Sequence, residues 1–149
     1  MIRRLRRFGG AKGGAAAVEF ALVLGPLLLL MFGVIEFGRL LWTREALQET
    51  ATAGARCMGM TSSSCASSGA FSSANTKTYI EGVSSTWGIA LVDSDITLNN
   101  STTCAGVTAT NGFSTVSITY NFTTIVPNLV KALSGGESLT TTACFPNNS

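Results

Sequence analysis

Two kinds of residue in this 149-residue chain sit where they could do chemistry. One is a carboxylate, Glu19, at the start of a long apolar run; the other is a set of four cysteines, Cys57, Cys65, Cys104 and Cys144, all beyond that run. A carboxylate in an apolar helix costs about 2.5–3.5 kcal/mol at mid-membrane and less near the surface. It therefore either reaches back to the headgroups or serves as the partner of a positive group. A cut after Gly14 would supply such a group. Ala15 would carry a new amine, and Glu19, then fifth in the chain, could neutralise it in the same or a neighbouring subunit. The same cut would remove Arg3, Arg4, Arg6, Arg7 and Lys12, charges that otherwise hold the helix in the membrane.

The cysteines fit a structural role better than a catalytic one. There is no Cys-x-x-Cys pair and no zinc-ligand spacing, and the chain contains no histidine. The commonest general base, and the usual partner of a nucleophilic Ser or Cys, is therefore missing. An even count beyond a membrane span favours two disulfides in an oxidising space. Four cysteines allow three connectivities, and spacing does not choose among them. The pairing 57–65 with 104–144 is preferred because it needs no long rearrangement. Glu81, Asp93 and Asp95 are scattered acids of a solvated face, and the Asn-x-Ser/Thr matches at Asn99, Asn100, Asn121 and Asn147 are expected by chance in so polar a chain. No phosphate loop, catalytic triad or metal cluster is legible, so neither an enzyme nor a cofactor is expected.

The element that must position Glu19 is the run itself. No charge occurs from Phe20 to Ile35, and the apolar character continues to Trp42 with Glu36 and Arg39 as interruptions. Ala15 to Ile35 covers about 31 Å as a helix, enough to cross a hydrocarbon core. Glu36 and Arg39, three apart on one face, can pair, and Trp42 suits an interfacial belt; together they mark the outer membrane boundary. Pro26, after Gly25, should kink or loosen its turn. Ala17, Ala21 and Gly25 form a small-residue stripe that would let another helix approach. The five leading cations, unaccompanied by acids, mark a cytoplasmic flank, not a nucleic-acid arm. The glycines at 9, 10, 13 and 14 predict an extended, accessible leader over residues 1–14.

Helix formers continue from Thr43 to Arg56, with Gly54, then Gly59 and the Ser-rich run beginning at Ser62, expected to supply the stop. The predicted domains are thus a basic leader (1–14), a long helix (15–58) that spans the membrane to about residue 42, and a head (59–149). In the head, residues 74–91 read as a second helix, 96–98 as a short strand, 99–112 as a polar loop, 113–126 as an alternating strand ended by Pro127, and 138–145 as a final strand. The last two strands should pair antiparallel and cover the second helix. The fold class is α+β: a long membrane helix followed by a small disulfide-tied head.

The run Gly14-Ala15-Ala16-Ala17-Val18-Glu19-Phe20-Ala21-Leu22-Val23-Leu24, then Gly25-Pro26, a leucine run and Phe32-Gly33-Val34-Ile35-Glu36-Phe37-Gly38-Arg39, resembles the TadE-like pseudopilins, minor subunits of the tight-adherence (Flp, type IVb) pilus system. The likeness covers about residues 13–42 and departs from the pattern at Gly25, which moves the proline by one residue. It implies cleavage between Gly14 and Ala15 by a prepilin peptidase on the cytoplasmic face, and a role for Glu19 in assembly. The implied partners are other pilin and pseudopilin subunits, the inner-membrane assembly platform and membrane lipid. The implied location is the inner membrane, crossed once, with the N-terminus cytoplasmic and the head periplasmic or extracellular.

Other readings of the same residues remain. One is a single-span anchor for a binding head, with its leader intact; another is a major pilin, a class usually much shorter. An ordinary cleaved signal peptide fits less well, because Ala53 and Ala55 lie too far past the apolar run. A lipoprotein cysteine at Cys57 is disfavoured by Arg56 before it.

Overall fold

The computed structural model describes residues 13–124 and 138–148. Residues 1–12 of the leader, the end of the predicted strand with Pro127, and the connection from there to residue 137 lie outside the described residues. The class is mixed α+β. The chain divides into two compact units, Met1–Gly38 and Arg39–Ser149.

Helix α1 (Gly13–Gly59) runs through both of its predicted weak points, since Pro26 and Gly54 lie inside it. It begins before Ala15, so Gly13 and Gly14 are helical instead of extended. The three alanines that follow are the strongest helix formers, and first-turn N–H groups have no helical partner to lose. Gly54 does not stop the helix, whose last residue is Gly59, just before the serine-rich run that was expected to end it. The stop comes at Thr61, in the left-handed region at φ 47°, where Ser62 N–H bonds Cys57 C=O (3.1 Å) and Thr61 N–H bonds Met58 C=O (2.9 Å). This pair of bonds is a Schellman cap. Both Gly54 and Gly59 are also points of close approach. A Cβ on Gly54 would lie 2.7 Å from Ile80 Cδ1, and one on Gly59 would lie 2.6 Å from Phe145 Cδ1.

In the second unit, the distal part of α1 carries a buried stripe of Leu40, Ala46, Leu47, Thr50, Ala51, Ala55 and Met58 at helical spacing. Arg44, Glu45, Gln48, Glu49 and Arg56 are exposed. Buried Thr50 satisfies its hydroxyl by donating to Ala46 C=O at 2.7 Å, a local solution to the cost of a buried polar group.

Against that stripe lies a three-stranded antiparallel sheet in the order β3 (Ile96–Thr102), β4 (Phe113–Asn121), β5 (Ser138–Pro146). Its register stacks Ile96, Ile118 and Thr141 in one inward row and Leu98, Val116 and Ala143 in the next. Outward rows are hydroxylated, as in Thr97, Ser117 and Thr142. Thr141 donates its hydroxyl to Gln48 Oε1, tying β5 to α1. β3 extends through residues expected to be loop because Asn99 and Thr102 find register partners on β4, across a bulge.

Helix α2 (Ser73–Thr86) is shorter than the predicted 74–91. Gly88 adopts φ 74°; Ile89 N–H then bonds Ser84 C=O (3.1 Å) and Gly88 N–H bonds Ser85 C=O (3.0 Å). A second Schellman cap results, with Ile89 buried behind it. Ser72 caps the other end, its side chain accepting from Asn75 N–H at 3.4 Å. Within the serine-rich connection, β1 (Ala66–Ser67) and β2 (Ala70–Phe71) form a two-residue hairpin. Ser68 and Gly69 turn it at φ 53° and 82°, the positive angles of a type I′ turn.

Two disulfides close the unit. Cys57–Cys65 joins the end of α1 to the β1 hairpin, and Cys104–Cys144 joins the β3–β4 loop to β5. The C-terminal residues add a polar latch: Asn148 N–H bonds Gly59 C=O (3.0 Å) and Asn147 N–H bonds Gly112 C=O (3.1 Å). The Asn147 amide also donates to Asn100 C=O at 2.7 Å.

Two predictions follow from this packing. Gly54→Val should destabilise the protein by about 1–3 kcal/mol through overpacking, and adding Ile80→Ala should return part of that loss; denaturant unfolding of both variants checks it. Chain-entropy reasoning assigns about 4 kcal/mol to the longer disulfide loop and about 2.5 kcal/mol to the shorter. Replacing Cys104 and Cys144 by serine should accordingly cost about 1.5 kcal/mol more than replacing Cys57 and Cys65, measured in the same unfolding assay.

Candidate functional site

The proximal part of α1 has the opposite character to the distal part. Its large side chains are exposed: Val18 60 %, Phe20 65 %, Leu22 72 %, Leu29 75 % and Val34 64 %. Residues 14–35 are exposed throughout, Leu24 and Gly33 being intermediate. No soluble fold leaves so continuous an apolar surface in water without a partner for it. By length and composition, α1 can cross a membrane, and it has the form of a single-pass anchor.

Glu19 lies in the second turn of this surface and is exposed among apolar neighbours. Gly14 and Ala15 precede it in the first turn, both exposed, and a Cβ on Gly14 would meet open space. The structure thus brings the candidate junction and the candidate carboxylate together on one short helical segment. Ala17, Ala21 and Gly25 are likewise exposed, four residues apart on the same helix.

Glu36 and Arg39 fall into different environments. Glu36 is buried, at 6 % exposure, whereas Arg39 is exposed and holds its guanidinium carbon 5.3 Å from the centroid of the Phe122 ring. That distance is within the range of a cation–π contact. Arg56 makes a similar contact, 5.9 Å from the Phe145 ring centroid.

The four cysteines are paired as 57–65 and 104–144, the connectivity preferred from the sequence. They tie the ends of elements together and leave no thiol for chemistry. No group of three or more His, Cys, Asp or Glu able to hold a metal occurs among the described residues. One open cleft of about 430 Å³ is lined by hydroxyls and backbone of residues 101–103 and 108–112. Another of about 210 Å³ lies between Arg44, Leu47 and residues 138–141. Neither holds an acid–base pair.

Two features escaped the sequence reading. Residues 43–56 were read only as a continuing helix, although the apolar residues of 40–58 recur at helical spacing opposite Arg44, Glu45, Gln48 and Glu49 and so mark a core face. Trp87 was read into a longer helix; Gly88 followed by apolar Ile89 was the available signal of a cap.

The chain was compared with known proteins. The family model of TadE-like proteins matches residues 14–56, from the candidate junction through the residue before Cys57. No curated protein and no solved structure matches the chain. The matched segment contains Gly14, Ala15, Glu19, the exposed apolar surface and the buried stripe, so the family pattern extends over both characters of α1. Over this segment, about three-tenths of its length, the chain is similar to the TadE-like proteins of the Tad pilus system.

Proposed function

We propose that this chain is a minor pseudopilin that acts in assembling, priming or capping a Tad pilus. On this reading, the basic leader stays in the cytoplasm, α1 crosses the inner membrane once, and the disulfide-tied head faces the periplasm. A prepilin peptidase cuts between Gly14 and Ala15, and the proximal part of α1 then packs against other pilin and pseudopilin subunits. The observation that carries the reading is the placement of Gly14, Ala15 and Glu19 in the first two turns of an exposed apolar helix within the family segment.

The chemistry follows from charge. Before the cut, five cations without acids oppose extraction of the helix from the membrane. Afterwards the amine of Ala15 is the remaining positive group at that end, and Glu19 is the carboxylate that neutralises it. Cleavage requires the first turn to open, which Gly13 and Gly14 make inexpensive because glycine is a poor helix residue. The small stripe at Ala17, Ala21 and Gly25 admits a neighbouring helix. Glu36, Arg39 and Trp42 set the outer boundary of the span.

The N-terminal sequence of the protein from native membranes should begin at Ala15. A chain retaining its leader would overturn the processing step and favour an anchored binding protein. Glu19→Leu should still insert and be cleaved, yet fail to enter pili or assembly complexes. Removing one partner of a buried ion pair costs about 3–5 kcal/mol, so incorporation should drop roughly a hundredfold or more. Normal incorporation of Glu19→Leu, quantified by immunoblot of sheared pili and purified complexes, would refute the pairing.

A further inference from the structure

The chain has two tryptophans, Trp42 and Trp87, and the fold puts them in contact. Their ring centroids are 5.6 Å apart with an interplanar angle of 67°, an edge-to-face arrangement. Trp42 is nevertheless 60 % exposed and Trp87 38 % exposed. Tryptophan is on average well buried in folded proteins. An edge-to-face pair contributes about 0.5–1.5 kcal/mol beyond its buried area, and here it still leaves much of both indoles uncovered. Leu41, next to Trp42, is 50 % exposed. The second unit therefore presents an aromatic patch at the position where its helix enters from the apolar run.

The occupant of that patch is indicated by its place along α1. A hydrocarbon core takes about 20 residues of helix. It ends near Ile35 if it starts at Ala15, or near Arg39 if it starts at Phe20. Trp42 then lies about 5–10 Å past the boundary, at about 1.5 Å per residue. This is the headgroup region, where an apolar ring with one polar N–H is at home. Trp87 comes from a separate element, yet touches Trp42. As the C-cap of α2, it donates its backbone N–H to Ser84 C=O at 3.0 Å. Gly88, at φ 74°, then turns the chain so that Ile89 and not Trp87 enters the core.

We propose that Trp87 is a second interfacial anchor, which holds the C-terminal end of α2 in the headgroup layer of the membrane that α1 enters. The inference rests on the reading of α1 as a membrane span. Its partner is a lipid surface, and continuity with the span favours that over a second copy of this chain or another protein. The head then touches the bilayer through Trp87 and must release it when the subunit leaves the membrane.

The two tryptophans supply their own test. In the full chain, with disulfides intact and in vesicles of phosphatidylethanolamine and phosphatidylglycerol, Trp42→Phe leaves Trp87 as the sole indole, and Trp87→Phe leaves Trp42. The Phe substitution keeps an aromatic ring at each contact. Emission should be blue-shifted in both variants, quenched by lipids brominated near the headgroup, and quenched weakly by aqueous iodide. Lipid quenching of Trp42 with only iodide quenching of Trp87 would overturn the inference and leave the span intact. Protection of Trp87 from both quenchers would also overturn it, identifying a protein partner as the cover. Failure of the chain to float with vesicles, or of Trp42 to be quenched by lipid, would reject the span itself and the inference with it.

Discussion

Along residues 40–58, one face of α1 is removed from water by the sheet and α2, and the second unit depends on that contact. Leu47 is 1 % exposed, Met58 2 % and Leu40 5 %, with Ala46, Ala51 and Ala55 between them. Burying each of the large side chains contributes about 1.5–3 kcal/mol, a sum comparable to the whole stability of about 5–15 kcal/mol typical of a small domain. The small residues matter equally. Alanines and Gly54 thin the helix so that Ile80 and Val116 can close on it. A sheet of three strands with one hydroxylated face and a 14-residue helix could not build this core by themselves.

One helix thus meets two solvents. Residues 14–35 leave their apolar side chains exposed, which suits lipid or neighbouring helices, while residues 43–59 follow the amphipathic rule of a core helix. Because the family pattern covers residues 14–56, it includes the exposed apolar surface and, except for Met58, the stripe around which the head folds. The disulfides then stabilise a unit whose sheet is apolar on its inner face alone. The outer face of the sheet is hydroxylated, and cross-strand contacts such as Ser117 with Thr142 at 3.1 Å bridge it.

Much of this was legible because it rests on local patterns. The apolar run gave α1, the period of two over Val116 and Ile118 gave β4, and the Thr-rich 138–145 segment gave β5. Where the reading failed, nonlocal packing decided the outcome. Gly54 looks like a helix stop in isolation, but its missing side chain makes room for Ile80. Asn99 to Thr102 look like loop because their strand character comes from hydrogen bonds to β4. Trp87 and Leu91 fit an apolar helical stripe until Gly88 is recognised as a cap. The Ser68-Gly69 hairpin was hidden by its serine-rich surroundings. For the candidate site, order and spacing single out Gly14, Ala15 and Glu19 as candidates, and the structure places them on the first two turns of α1. The contact of Trp42 with Trp87 could not, since it joins residues from separate elements.

The measurement that bears most directly on the account compares two truncated chains, residues 39–149 and residues 60–149, under oxidising conditions. The first retains the buried stripe of α1 and the second lacks it. Residues 39–149 should show a cooperative denaturant transition and a near-ultraviolet circular dichroism signal from packed aromatic residues. Residues 60–149 should show neither. A cooperative transition of similar midpoint in residues 60–149 would mean that the head folds without α1, and the claim that one helix serves both as anchor and as core would be wrong.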